Sequence, residues 1–483
     1  MLLLPEKLPI IMINRFFIEK ISENFPFEFT NDQKYALKLI SEFLFSDSGD
    51  QIFLLTGYAG TGKSSLIAAL VKMMTELKQP TVLLAPTGRA AKQLALYAQH
   101  PAFTIHKRIY RQKTMDGLSG SFSLNYNSLK HGLFLIDEAS MIANDSMGVS
   151  NFGTGRLLDD LFQFVYSSEG CRILLMGDTA QLPPVGQELS PALMPDHLRA
   201  MGVELFEIEL TQVVRQAENS GILWNATQLR RCISDSLTDA LPRVRLTGFP
   251  DVVRLPGDEL IEALGESYNQ VGADETIVIT RSNKRAALYN KGIRATIFDF
   301  EEELDGGDRL MIAKNNYYWT EDIPELEFLA NGDQAVVRRV RKTRGLYGFR
   351  FADVVLSFPD YEDIEIEVTL LLNTLQSESP SLTREESELF FKEIYTDYQE
   401  LATKKERMNA LKKDTYFNAL QAKYGYAVTC HKAQGGQWKR VFLDQSYIPP
   451  EQLTADYFRW LYTAFTRATE KLYLVNYPET QID

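Results

Sequence analysis

Three groups of residues in this sequence have the types and spacing to act on a phosphate chain. The first is Gly57-Tyr58-Ala59-Gly60-Thr61-Gly62-Lys63-Ser64, between the apolar run Ile52-Phe53-Leu54-Leu55-Thr56 and the segment Ser65-Leu66-Ile67-Ala68-Ala69-Leu70. It reads as strand, glycine loop and helix, and it matches G-x-x-x-x-G-K-[ST]. Glycines let the backbone curl until its N–H groups, from Gly57 through Ala59, Gly60, Thr61 and Gly62 to Ser65, face a phosphate chain. The helix N-terminus adds partial positive charge. Lys63 has the reach for the β- and γ-phosphates, and the Ser64 hydroxyl suits Mg²⁺. The loop specifies a nucleoside triphosphate; it does not specify what the energy drives.

The second group is Leu133-Phe134-Leu135-Ile136-Asp137-Glu138, an apolar strand ending in two carboxylates. Strand alternation turns the two side chains in different directions. Asp137 suits the Mg²⁺ shell and Glu138 suits polarising an attacking water. The third group follows later strands. Gln181, in Gly177-Asp178-Thr179-Ala180-Gln181-Leu182-Pro183-Pro184-Val185, is placed to sense a γ-phosphate. Arg215, in Leu210-Thr211-Gln212-Val213-Val214-Arg215-Gln216, reads as a phosphate clamp or a salt-bridged surface residue. Upstream, the Gln33 amide can both donate and accept, which suits an adenine edge; alone it is a surface glutamine.

A different polar set follows the strand Thr81–Ala85. Pro86 and Thr87, at a strand-to-helix turn, offer backbone and hydroxyl contacts to a phosphate. Thr104 and His106 come next, and His106 reads equally as a structural histidine. Residues 107–131 read as a β-hairpin inserted between two strands of the main sheet, with Asp116-Gly117 as its turn.

The elements that must hold these groups in place are continuous apolar strands of the kind found in buried parallel sheets, each followed by a helix. The second half repeats the pattern with Glu275–Thr280, Arg440–Asp444 and Lys471–Val475. An insertion from about Asp299 to Tyr416 splits it. The insertion is strand-rich to about Leu372 and helical after the capping box Thr383-Arg384-Glu385-Glu386. In that helix Leu389, Phe390, Ile394, Tyr395, Tyr398 and Leu401 form a stripe that reads as packing.

Composition is that of a globular protein of at least two domains: 483 residues, 45% hydrophobic and 24% charged. The net charge of −13 weighs against nucleic acid as a partner, but local basic clusters, Lys107-Arg108 and Arg338-Arg339 among them, weigh the other way. Three scattered cysteines suggest a reducing compartment, the cytoplasm. No transmembrane run is found, and the apolar stretch Met1 to Ile13 reads as a docking segment or a misassigned start.

In order along the chain, Gln33, GYAGTGKS, APTGRAA, TIHK, LIDEAS, GDTAQLPPV and LTQVVRQ resemble the motifs of a superfamily 1B helicase of the RecD/Dda type. Tyr426 to Gln437 is similar to the family's motif V, and Tyr462-Thr463-Ala464-Phe465-Thr466-Arg467-Ala468 to its motif VI. The family often carries Glu where Gln437 stands.

The resemblance implies two RecA-like α/β domains with parallel sheets, a β-hairpin in the first and an SH3-like barrel with a helical projection in the second. The expected division is an N-terminal segment 1–29, motor domain 30–225, the second motor domain at 226–298 and 417–483, and the insertion at 299–416. It implies ATP and Mg²⁺, with Gly435 near the nucleotide and Arg467 joining Arg215 on the γ-phosphate. Arginines in that role are worth roughly 10³- to 10⁵-fold in rate in related phosphoryl transfers.

It further implies single-stranded DNA and duplex junctions as partners, gripped by Pro86, Thr87, Thr104 and His106 on one domain. Asn283, Thr429, His431 and Lys432 grip from the other, and Tyr110 or Phe122 stacks on a base at the hairpin. A monomer working with a single-strand-binding protein and moving 5′ to 3′ completes the expectation. A translocase that strips proteins without separating strands, and an RNA helicase, are the alternatives; a small-molecule P-loop kinase leaves Gln181, Arg215 and motifs V and VI unexplained.

Overall fold

The computed structural model describes residues 10–25, 27–46, 50–112, 122–145, 152–214, 219–321, 323, 326 and 328–483. Its first strand, β1 (Gln51–Gly57), is buried along its whole length and delivers the glycine loop. β2 (Thr81–Ala85) and β3 (Ala102–Thr104) follow. A small antiparallel pair comes next, β4 (Tyr110–Gln112) and β5 (Phe122–Leu124). Then come β6 (Leu133–Ile136), β7 (Arg172–Gly177) and β8 (Glu204–Leu210). Six of these make one parallel sheet in the order β3-β2-β6-β7-β1-β8. Strands covered on both faces by helices carry continuous apolar runs, as Ile52–Leu55 of β1, Leu133–Ile136 of β6 and Ile173–Met176 of β7 do.

β9 (Val252–Leu255) and β10 (Thr276–Thr280) open the second sheet. The chain then leaves it for β11 (Arg309–Ile312), β12 (Gln334–Leu346), β13 (Phe349–Phe358), β14 (Ile364–Leu371) and β15 (Leu420–Tyr424), which close into a barrel. It returns through β16 (Ala427–Thr429), β17 (Trp438–Asp444) and β18 (Ala468–Val475), giving the parallel order β16-β10-β17-β18-β9. Two RecA-like sheets and an inserted barrel are therefore present.

Two expected boundaries move. The barrel is closed by β15, beyond the expected limit at 416, because Leu370 and Leu371 of β14 pair with Leu420 and Gln421. The helix Gly221–Ser234 packs through Ile222, Ala226 and Leu229 into the core of the second sheet, so that domain begins before residue 226. The N-terminal helix Ile10–Asn24 docks Phe17 and Ile21 against the helix that follows the glycine loop.

The helical projection is the pair Arg384–Thr396 and Lys404–Lys412, each opened by a Thr-to-Glu capping box. Phe390 and Ile394 bury against Phe349, Phe351 and Leu371 of the barrel, whereas Leu389 and Leu401 stay exposed. No helix among the described residues is long and apolar enough to cross a membrane.

One buried ion pair ties the second sheet to the barrel. Arg294, on the helix Asn283–Thr296, donates from Nε and Nη2 to the two oxygens of Asp308, both at 2.7 Å, and Tyr426 donates to the same carboxylate at 3.2 Å. The Asp308 side chain is fully buried. Removing one partner strands the other charge, so Asp308→Ala is expected to destabilise the second domain by about 3–5 kcal/mol, read as a lowered urea midpoint. An unchanged midpoint would mean the pair is dispensable.

Candidate nucleotide cleft and nucleic-acid surface

The glycine loop turns on two residues with positive φ, Gly60 and Gly62, both at 78°. Gly62 caps the helix Lys63–Glu76. The loop is held from behind. Thr30 and Gln33 form a capping box, with the Thr30 N–H on Gln33 Oε1 at 3.0 Å, and Gln33 Nε2 donates to the Thr61 carbonyl at 3.0 Å. Gln33 is fully buried. This corrects the expectation of an adenine-reading amide: both ends of the amide are engaged in fixing the loop.

Val214 N–H donates to the Gly60 carbonyl at 3.0 Å, and Asp32 accepts the amides of Thr211 and Gln212, so the LTQVV segment is tied to the same place. Arg215 lies outside the described residues.

A cleft of 480 Å³ runs between the two sheets. Ala59, Gly60, Gly62, Lys63, Ser64 and Ser65 line one wall, with Asp137, Glu138 and Gln181 beside them; Gly435, Gln437, Thr466 and Arg467 line the other. Gly57 and Thr61 sit behind the loop, Gly57 pressed within 3.0 Å of Leu210 by the measure of an added Cβ. The Lys63 ammonium donates to the carbonyls of Gly57 and Tyr58, the latter at 3.0 Å. A phosphate would compete for that ammonium as a stronger, charged acceptor.

The carboxylates are differently placed. Asp137 accepts the Glu138 N–H at 2.8 Å and the Tyr97 hydroxyl. Ser64 lies close to the same Tyr97 hydroxyl, so the two expected Mg²⁺ ligands flank one oxygen. Two oxygens gathered within reach of a single point fit a hard cation that takes oxygen ligands. Glu138 has positive φ, 51°, which swings its side chain off the strand direction toward Arg467, whose Nη1 lies 4.0 Å away. Burial pushes the Glu138 carboxyl up to about 7, with Asp137 and Asp178 adding to the rise and Arg467 and Lys63 opposing it. Gln181 is buried, and its Oε1 has no hydrogen-bond partner, an acceptor that a water or bound molecule in the cleft would satisfy.

Three tyrosines in and around this cleft escaped sequence reading. Tyr462 accepts the Ala59 N–H at 2.9 Å and donates to Asp178 at 2.5 Å, bridging motif VI to the glycine loop and to the strand end after β7. Two adjacent bonds run the same way: Leu182 N–H to Thr463 Oγ1 at 2.9 Å and Gln434 Nε2 to the Leu182 carbonyl at 2.6 Å. Tyr97 had a signal: with Ala90 and Gln93 it follows the i, i+3, i+7 spacing of one helix face, and all three line the cleft. Tyr361 of the barrel lies against Gly88, where an added Cβ would come within 2.6 Å of its hydroxyl.

The nucleic-acid candidates separate into groups. Thr87 and Thr104 each cap a helix, accepting the amides of Ala90 and Lys107. Pro86 is half-buried beside Thr87. His106 is half-buried among the rings of Tyr110, Phe152 and Phe328, and burial lowers its imidazole to about 4. Asn283, Thr429 and Lys432 line one pocket, and burial lowers the Lys432 ammonium to about 8. His431 faces a separate 460 Å³ cleft with Arg281 and the Leu182–Gln187 loop.

Tyr110 and Phe122 are corrected. They are buried against Phe152, and Tyr110 donates to Asp160 at 2.7 Å, so neither offers a face to a base. The expected hairpin is shorter than 107–131 at its root, since Ile105–Ile109 is helical; its Asp116-Gly117 turn lies outside the described residues.

A glycine loop on a parallel sheet, facing an arginine carried by a second such sheet, defines a P-loop nucleoside-triphosphatase of the two-motor type. An AAA domain model matches residues 30–241 and a UvrD-like helicase C-terminal domain model matches residues 424–475. Taken with the ordered motifs, these matches support a superfamily 1B helicase of the RecD/Pif1-like type.

The chain is 25% identical to uncharacterized protein R530 of Acanthamoeba polyphaga mimivirus, over 92% of this chain and 98% of that one. It is 24% identical to the ATP-dependent RecD2 DNA helicase of Deinococcus radiodurans, over 88% of this chain and 47% of that protein's length. A Bacteroides Pif1 helicase solved with ADP-AlF3 and single-stranded DNA matches over 95% of both chains at 16% identity and a TM-score of 0.43.

General-base action needs the charged form of Glu138. With its carboxyl raised to about 7, ATP hydrolysis should climb as pH rises through about 7. The same shift favours the protonated folded state, so the group's contribution to stability falls as pH rises from about 4.5 to about 7. Glu138→Gln should abolish turnover at every pH, and a pH-independent wild-type rate would sink the assignment.

Proposed function

We propose that this chain is an ATP-dependent DNA helicase that translocates 5′ to 3′ on single-stranded DNA. The observation that carries the reading is the cleft walled by both sheets, because a nucleotide within it touches the two motors at once. The likeness to superfamily 1B members supports the polarity, and the RecD2 relative, named a DNA helicase, supports the substrate.

Backbone N–H groups of the loop and Lys63 bind the β- and γ-phosphates, and Ser64 and Asp137 hold Mg²⁺. The ion, when bound, supplies positive charge at the β- and γ-phosphate oxygens. Glu138 accepts a proton from the attacking water. Gln181 contacts that water or the γ-phosphate, and Arg467, with Arg215, balances charge as the phosphoryl group leaves. Loss of the γ-phosphate removes the acceptor shared by the two walls, and the sheets part.

Thr87 and Thr104 on one sheet and Thr429, His431 and Lys432 on the other hold the strand through its phosphates, with little regard for sequence. The chain acts as a monomer on DNA that a single-strand-binding protein also covers. Its three cysteines are free thiols, consistent with the cytoplasm.

The test is unwinding of 5′-tailed against 3′-tailed duplexes with ATP and Mg²⁺, and ATPase stimulation by DNA against RNA strands. A 5′-tail preference and stronger stimulation by DNA are expected. A 3′-tail preference would reject the polarity, and stimulation by RNA alone would reject the substrate. Lys63→Ala should lower hydrolysis by about 10²-fold or more.

A further inference from the structure

A cavity of 400 Å³ lies between the barrel and the helical projection, away from the nucleotide cleft. Phe391, 37% exposed, and Phe417 stand edge to face in its wall with centroids 6.2 Å apart, and Tyr318 adds a third ring. Two lysines, Lys314 and Lys412, line it against one carboxylate, Glu321.

Two amide side chains complete the chemistry. Gln421 uses its carbonyl oxygen to accept the Leu382 N–H at 3.1 Å, which leaves its NH₂ as a donor. Asn418 uses its NH₂ on the carbonyls of Lys412 and Asp414, which leaves its oxygen as an acceptor. Flat aromatic faces, one free donor, one free acceptor and two cations are what a nucleobase and its phosphate require.

Position points to the same occupant. Tyr317 in the cavity wall packs 5.0 Å from Phe122 at the root of the hairpin. Asn315, also in the wall, accepts the Asn331 N–H at 2.7 Å, and Asn331 Oδ1 accepts from Lys432 of motif V at 3.3 Å. The cavity is therefore joined to the hairpin on one side and to the strand-gripping surface on the other.

We propose that it holds a base of single-stranded DNA as the strand passes the hairpin root, an inference that rests on the helicase reading above. The stacking surface expected of Tyr110 and Phe122 is supplied here instead.

The experiment uses the full chain and forked DNA carrying 2-aminopurine at successive positions in either arm. One position, in one arm, should change fluorescence on binding and lose that change in Phe391→Ala, which identifies the arm. Phe391→Ala should also weaken single-strand binding roughly fivefold or more. An abasic residue at the reporting position should weaken the wild type to the same degree and add nothing in the variant.

Lys412→Ala should lower the salt slope of binding by about 1. DNA-independent ATPase should be unchanged in both variants. If DNA still stimulates the wild-type ATPase but no position reports and neither variant alters binding, the cavity is not a base site, and an aromatic side chain of a protein partner becomes its occupant. If DNA neither binds nor stimulates the wild type, the helicase reading itself falls and takes the cavity with it.

Discussion

The Tyr462 hydroxyl joins the two sheets at the point where chemistry would occur. It accepts an N–H from the glycine loop and donates to the buried Asp178, and it comes from the opposite motor. Tyr462 and Asp178 are both buried, which makes the hydrogen bond between them costly to leave unmade. The sheets therefore cannot slide past one another at this site without exposing polar groups. The neighbouring Leu182 backbone repeats the constraint, its N–H donating to Thr463 and its carbonyl accepting from Gln434. The cleft takes its width from this seam.

The motif V glycines extend the seam. At Gly435, φ +71°, an added Cβ would stand 3.0 Å from both Thr87 Oγ1 and Ala90 Cβ of the first motor. At Gly436 it would meet the Trp438 ring and Arg89, whose guanidinium lies 4.0 Å from the centre of that ring. Thr87 is a strand-grip candidate and Gly435 lines the nucleotide cleft, so the two surfaces are in direct van der Waals contact. No relay is needed between them.

Much of this architecture was legible because it is local. A glycine loop between an apolar strand and a helix, and carboxylates at a strand end, are short-range patterns with one physical solution. What sequence reading missed depends on residues remote along the chain. Tyr110 and Phe122 look like stacking rings until Phe152 and Phe328 cover them. The closing strand of the barrel pairs across an intervening helical pair, so its membership could not be read from its own five residues. Gln33 is the opposite case: the Thr30-to-Gln33 spacing of a capping box was visible and already competed with a ligand for that amide. Tyr462 stood within a recognised motif, but its reach across to Ala59 depends on how the two sheets meet.

The origin of β15 limits how the barrel can have been acquired or could be exchanged. Four of its strands form one excursion from the second motor, while the fifth belongs to the returning chain and runs within three residues into β16. A cut at the apparent end of the insertion would leave β11 and β14 without their shared neighbour, two open edges able to pair with other chains. The barrel is thus not a cassette: a graft between relatives has to carry Leu420–Tyr424 with it, and it inherits the motif V strand's register as a condition of closing.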